Sequence, residues 1–251
     1  MSGKRTRRRR ASRKWPILAA ACLLVVAALG SALLFYHLPS HTTSSAATGS
    51  SSSGGKYVIL YINQGNGVVN ESNFGSMLSF ASSQGFNTIF FQVYREGSLL
   101  FDASQLDSFV VHAHAQDVKI FFSLYLTNSS QQIPASIYDL GEDGISLDMS
   151  TLAVSDQSAL FASLQRGYAS GLTAITTTDL TLPLSPDLLV LETYTSQIQQ
   201  YSQYIHPGVI AGVGVFATTS QSNYQQEFQY ALANSDGVMV FDYAGLMKSG
   251  Y

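Results

Sequence analysis

From residue 57 onward, short runs of β-branched, aromatic and aliphatic residues alternate with longer segments in which apolar residues recur at helical spacing. The runs are 57–63, 88–94, 119–126, 144–149, 172–178, 188–194, 209–217 and 237–243. Between them, helical periodicity marks 72–84, 103–116, 155–170, 195–205 and 220–234. Several of these open on Ser, Thr or Asp, whose side chains satisfy the free N–H groups of a first helical turn. Eight strands alternating with helices predict a small (β/α)8, TIM-type barrel. The stretch TDLTLPLSPD at 178–187 is too short for a full helix, and 127–143 holds at most a short one, so one or two helices are expected to be shortened or missing. A doubly wound open sheet is the alternative, but no GxGxxG follows the first run, where only Gly65-Asn66-Gly67 stands.

Alternation along each strand sorts residues to the two sides of the barrel wall. In TIFFQVY, Ile89, Phe91 and Val93 share the parity that faces the helices, so Phe90, Gln92 and Tyr94 are expected inside. The same division sends inward Tyr61 and Asn63, Ser123 and Tyr125, Ser146 and Asp148, Glu192 and Tyr194, and Asp242. Gly212 and Gly214 are inward too, where they leave room. Polar inward residues therefore gather at the C-terminal strand ends, the face that carries barrel active sites.

Ahead of this domain the pattern changes. Residues 1–14 hold eight of the thirteen Lys and Arg, and 15–36 is an uninterrupted apolar stretch, WPILAAACLLVVAALGSALLFY. At about 1.5 Å per residue it is long enough to cross roughly 30 Å of hydrocarbon, and the basic block before it predicts a cytoplasmic N-terminus. A cleaved signal peptide shares the pattern, but this run is longer than the usual apolar core of one. Residues 37–55, rich in Ser, Thr and Gly, read as a flexible tether. The expected plan is a basic cytoplasmic tail (1–14), a transmembrane helix (15–36), a linker (37–55) and an extracytoplasmic barrel (56–251).

Charge narrows the partners. All sixteen Asp and Glu lie beyond residue 70, with only Lys56, Arg95, Lys119, Arg166 and Lys248 beside them, so the barrel domain carries 5 − 16 = −11. Such a surface disfavours nucleic acid and anionic polymers and suits neutral or cationic ligands. Cys22 is the only cysteine, which rules out an intrachain disulfide and a cysteine-based zinc site. Asn70-Glu71-Ser72 and Asn128-Ser129-Ser130 are sequons that fit an external domain. No cofactor is expected, and oligomeric state is not readable.

Three carboxylates stand where apolar strands end. Asp148 closes GISLD, Glu192 interrupts LLVLETY and Asp242 interrupts VMVFDY. The bland readings are an N-cap or loop anchor for Asp148 and a strand-end salt bridge for Glu192. Asp143-Gly144 and Asp236-Gly237 form an internal echo ahead of Asp148 and Asp242. Paired carboxylates across a barrel mouth are what glycoside hydrolysis requires, one to protonate the leaving oxygen and one to attack or to activate water. Tyr61, Tyr94, Tyr125 and Tyr194 offer stacking faces and hydroxyls to a sugar, and Asn63, Gln92, Glu96 and Tyr243 complete the expected binding set. His112, His114 and His206 fall on a helix or at the opposite end, which argues against a histidine-based triad or metal site. A carboxylate-only Mg²⁺ or Ca²⁺ site remains open, although no metal is expected.

The stretch GFNTIFFQVYREGSLLFDAS resembles the second-strand signature of the glycosyl-hydrolase-like (β/α)8 barrels, with Asn87, Gln92, Gly97, Leu100 and Ser104 in place and Phe101 where tyrosine is usual. EDGISLDMS is similar to their fourth-strand motif, an Asp-Gly pair leading to an acid at the strand tip, here Asp148. The resemblance implies extracytoplasmic glycan processing. Asp148 and Glu192 are then the expected acid/base and nucleophile pair, with Asp242 as an orienting or substitute acid. A non-catalytic glycan-binding or structural envelope protein is the alternative. The domain has no tryptophan, and Met149-Ser150-Thr151 stands where the family usually carries a second acid or an aromatic-Arg segment.

Overall fold

The computed structural model describes residues 55–64, 67–194, 198–216 and 219–249. The predicted tail, transmembrane helix and most of the linker lie outside the described residues. Among the described residues, no helix is long and apolar enough to cross a membrane.

Nine strands form one sheet: β1 (Tyr57–Ile62), β2 (Thr88–Arg95), β3 (Ser98–Leu99), β4 (Lys119–Tyr125), β5 (Gly144–Asp148), β6 (Leu172–Thr177), β7 (Leu188–Glu192), β8 (Ile210–Gly214) and β9 (Gly237–Phe241). All pair in parallel except β3, a two-residue strand that turns back on β2. The order β1-β9-β8-β7-β6-β5-β4-β2 closes through β1–β2, where Ile59 pairs with Thr88 and Ile62 with Phe91. Closure excludes the open-sheet alternative. All eight predicted strands are present; the fourth, sixth and eighth are β5, β7 and β9.

Four predicted helices form as α1 (Phe74–Ser83), α2 (Ala103–His114), α3 (Val154–Gly167) and α4 (Gln221–Asn234); a fifth, α5 (Tyr243–Ser249), was not predicted. Asp102 and Gln105 start α2 with a capping box. The predicted helix at 195–205 is instead a 3₁₀ helix over Ile198–Tyr204. Its apolar Ile198 and Tyr201 are three apart, a spacing that three residues per turn puts on one face. The link from β4 to β5 has a single 3₁₀ turn, Ala135–Ile137, and β6 to β7 has no helix. There Asp179 binds the Thr181 N–H at 2.8 Å in a tight turn. Three crossovers thus lack an α-helix, one more than expected.

Strand alternation builds two apolar cores. Ile59, Tyr61, Phe90, Phe121, Leu188, Val190, Ile210 and Met239 fill the barrel. Opposite-parity residues such as Ile89, Phe91, Phe122, Leu147 and Val240 pack beneath the helices.

The barrel base repeats one device four times. The residue before each alternate strand accepts from a backbone N–H at, or just ahead of, the start of the preceding strand: Asn87 from Val58 (3.0 Å), Asp143 from Ile120 (2.9 Å), Asp187 from Thr173 (2.8 Å) and Asp236 from Gly208, two residues before β8 (2.8 Å). The Asp143/Asp236 echo is therefore a structural staple. Asp143 also binds His114 Nε2 at 2.8 Å.

Candidate active site

The staples set the height of the opposite end. Gln92, Asp148, Glu192 and Phe241 each stand five residues beyond Asn87, Asp143, Asp187 and Asp236, on β2, β5, β7 and β9. Alternate strands supply one layer of inward side chains in such a barrel, so these four form the uppermost layer of the interior. Three of them are polar. The fourth is aromatic, and Phe241 lies against Tyr194 at 4.7 Å, stacked, and Tyr61 at 5.1 Å.

Tyr61, Ser123 and Thr176 come up between them from β1, β4 and β6. Ser123 Oγ donates to Tyr61 Oη at 3.2 Å, and Ser146 Oγ lies 3.4 Å from Thr176 Oγ1. Gln92 Oε1 accepts from the Gln64 N–H at 3.0 Å, and its side chain also hydrogen-bonds Tyr61. Gln64 was not singled out from sequence; its only mark is its place just past β1.

Asp148 is 9% exposed, and burial raises its carboxyl to about 6. The backbone N–H and hydroxyl of Ser150 partly oppose the rise, the hydroxyl from 3.4 Å. Burial, then the charge of Asp148, raises Glu192 to about 8. Tyr61 and Tyr194 rise well above the ordinary phenol value through burial, and both also feel Asp148 and Glu192. These four groups thus sit within electrostatic reach of one another. Neither Asp148 nor Glu192 has a cationic partner among the described residues, and no group of three or more His, Cys, Asp or Glu is arranged to hold a metal among them.

Several expected positions differ. The β2–β4 register slips between Gln92 and Tyr94, leaving Val93 as an extra residue, a β-bulge. Tyr94 consequently pairs with Leu124, turns outward into the helix-facing core, and donates to the Gln132 carbonyl at 3.3 Å. The inward place passes to Arg95, in register with Tyr125. Asp242 is one residue past the inward Phe241, and its carboxylate accepts the Gly245 N–H at 2.9 Å, capping α5. Burial raises Asp242, against the Gly245 bond and the charge of Lys248. Tyr243 packs edge-on to Phe80 of α1 at 5.6 Å, away from the mouth. Glu96, exposed at φ 52° in the β2–β3 turn, binds Arg95 Nε at 3.1 Å.

Asn63, partly buried, follows β1 at the mouth. Tyr125 pairs in register with Asp148. The room left by Gly212 is taken: a Cβ there would lie 2.6 Å from Tyr194 Cε1, so the glycine lets that ring stack on Phe241. At Gly214 the Phe216 ring fills the space. Phe216 and Phe241 were missed from sequence, the first because it lay in the predicted run 209–217, of which only Gly212 and Gly214 were singled out, and the second because Asp242 drew attention one position on.

Known structures share this architecture. A chitinase from Bacteroides thetaiotaomicron is similar at a TM-score of 0.58 and 11% identity, over 76% of this chain and 91% of that one. A GH113 β-mannanase from Alicyclobacillus acidocaldarius, in complex with ManMIm, is similar at 0.55 and 11%, over 76% and 88%. A GH113 β-1,4-mannanase follows at 0.50 and 10%, over 75% and 87%. The chain has the (β/α)8 barrel fold that these enzymes share. At these identities the likeness is one of fold. No protein-family model and no curated protein matches the chain.

Proposed function

We propose that the protein is a membrane-anchored, extracytoplasmic glycoside hydrolase acting on a neutral glycan, with Glu192 as general acid and Asp148 as the ionised partner. The observation that carries this reading is the pair itself: two carboxylates in one layer at the mouth, on strands flanking β6, each free of a cationic partner among the described residues. Two strand spacings separate their backbones by about 10 Å. Converging side chains bring that within the roughly 5–10 Å that glycoside hydrolysis uses.

Environment divides the roles. With Asp148 titrating about 6 and Glu192 about 8, neutral pH leaves the first mostly ionised and the second mostly protonated. Pairs pushed apart in this way are how one site holds an acid and a base together. Glu192 gives its proton to the glycosidic oxygen as the C1–O bond breaks. Asp148 either attacks the anomeric carbon or takes a proton from the attacking water. Phe241 and Tyr194 form an aromatic floor for a sugar face. The apolar stretch at 15–36 and the basic block before it support the anchor and the external location.

A non-catalytic glycan-binding role is the second reading, favoured by Met149-Ser150-Thr151 where a second acid or an aromatic-Arg segment is usual, by the lack of tryptophan in 56–251, and by Asp242 serving as a helix cap. Reducing-end release from mannan and chitin oligosaccharides separates the two. Hydrolysis by the wild type, lost in Asp148→Asn and Glu192→Gln with far-UV spectra retained, is the expected result. Turnover that survives both substitutions removes the assignment.

A further inference from the structure

The bulge at Val93 re-aims one side chain. Without it, Tyr94 would continue the inward parity of Phe90 and Gln92, and Arg95 would face the helices. With it, Arg95 pairs with Tyr125, Tyr125 with Asp148 and Asp148 with Thr176, so all four project from the same side of neighbouring strands. Bulges concentrate beside active sites, where they redirect side chains.

Arg95 is the cation at the upper end of this row, above the Gln92–Asp148 layer, whereas Lys119 lies at the base end of β4. Its guanidinium lies over the Tyr125 ring, 5.8 Å from the centroid, and its Nε–H is tied to Glu96 at 3.1 Å. These two contacts hold the plane of the guanidinium and leave the Nη edge as a fork of N–H donors. The side chain is 36% exposed, so a ligand in the mouth can reach it.

We propose that Arg95 and Tyr125 form a sugar-binding subsite next to Asp148, with the Arg95 Nη groups donating to hydroxyl oxygens of a neutral sugar ring. This rests on the glycan reading above. Charge selects a neutral ring over an acidic one: Glu96 already neutralises Arg95, and the next charge along the row is Asp148. A sugar carboxylate there would face two acids and an overall charge of −11 across the domain. A planar fork also makes lysine a poor substitute, because an ammonium is a point charge without the paired geometry.

The test is binding by the full-length chain carrying Glu192→Gln, which keeps the sugar intact. Calorimetry with mannohexaose, N-acetylchitohexaose and trigalacturonate is repeated after Arg95→Gln and Arg95→Lys. The expected result is that a neutral hexasaccharide binds and that both substitutions weaken it at least tenfold, with the melting temperature unchanged. Tyr125→Ala should weaken the same ligand, which ties the effect to the pair. Neutral-sugar binding that persists undiminished in both Arg95 variants overturns the subsite while leaving the glycan reading intact. Tighter binding of trigalacturonate, lost with Arg95, overturns the neutral assignment. Failure of all three sugars to bind even without the Arg95 change removes the glycan reading and the subsite with it.

Discussion

Replacing Glu192 by glutamine should make the protein more stable, and increasingly so as pH rises. In the folded chain this carboxyl titrates about 8 against an ordinary 4.5, chiefly through burial and then through Asp148. A raised acid means that the native state holds its proton more tightly than the unfolded state. Unfolding therefore becomes easier at each pH step between those two values. At about 1.4 kcal/mol per unit, the span 8 − 4.5 = 3.5 sets an upper limit of about 5 kcal/mol. Glu192 is partly exposed, and solvent screening reduces this to about 2–3 kcal/mol. Glutamine fills the same volume and cannot ionise. Urea unfolding followed by circular dichroism at pH 5, 6, 7, 8 and 9 should show the two proteins alike at pH 5, with the variant ahead by about 2–3 kcal/mol above pH 8. Parallel curves across the whole range would refute the claim that Glu192 is a half-buried acid raised by its surroundings and by Asp148.

Two further predictions concern what holds the mouth in place. Asp187→Ala leaves the buried Thr173 N–H without its 2.8 Å acceptor and should cost about 1–3 kcal/mol in urea melts, whereas Asp236→Ala, whose partner Gly208 is exposed, should cost less than about 1 kcal/mol. Equal costs would deny that burial of the partner sets the value. Gly212→Ala places a methyl 2.6 Å from Tyr194 Cε1 and 3.0 Å from the Leu191 carbonyl, so Tyr194 should leave Phe241. A loss of about 1–3 kcal/mol and a changed near-UV aromatic spectrum are expected; an unchanged spectrum would show that the ring stays.

Much of the barrel was legible because period-2 runs and turn-bounded spacing are local properties. The eight strands, four of the helices, and the inward places of Tyr61, Gln92, Asp148 and Glu192 all follow from them. What local pattern did not carry is register. One extra residue at Val93 reverses every side chain after it, which sent Tyr94 out and Arg95 in. On β9 the phase is shifted by one: Met239 and Phe241 take the inward parity, the strand ends at Phe241, and the short α5 takes Asp242 as its cap. The Asp143/Asp236 echo was visible, but its meaning lay in hydrogen bonds to strands remote in sequence. The inward glycines looked like vacancies because the rings that fill them are placed by the fold: Tyr194 reaches Gly212 from the end of the neighbouring β7, and Phe216 folds back over Gly214 from two residues on.

The pH dependence of kcat/KM on a neutral oligosaccharide tests the assignment of Glu192 and Asp148 most directly. A pair that titrates about 6 and about 8 predicts a bell with its maximum near pH 7, falling on the acid side as Asp148 takes up a proton and on the basic side as Glu192 loses one. A profile that stays flat from pH 5 to 9, or one whose basic limb survives in Glu192→Gln, would contradict it.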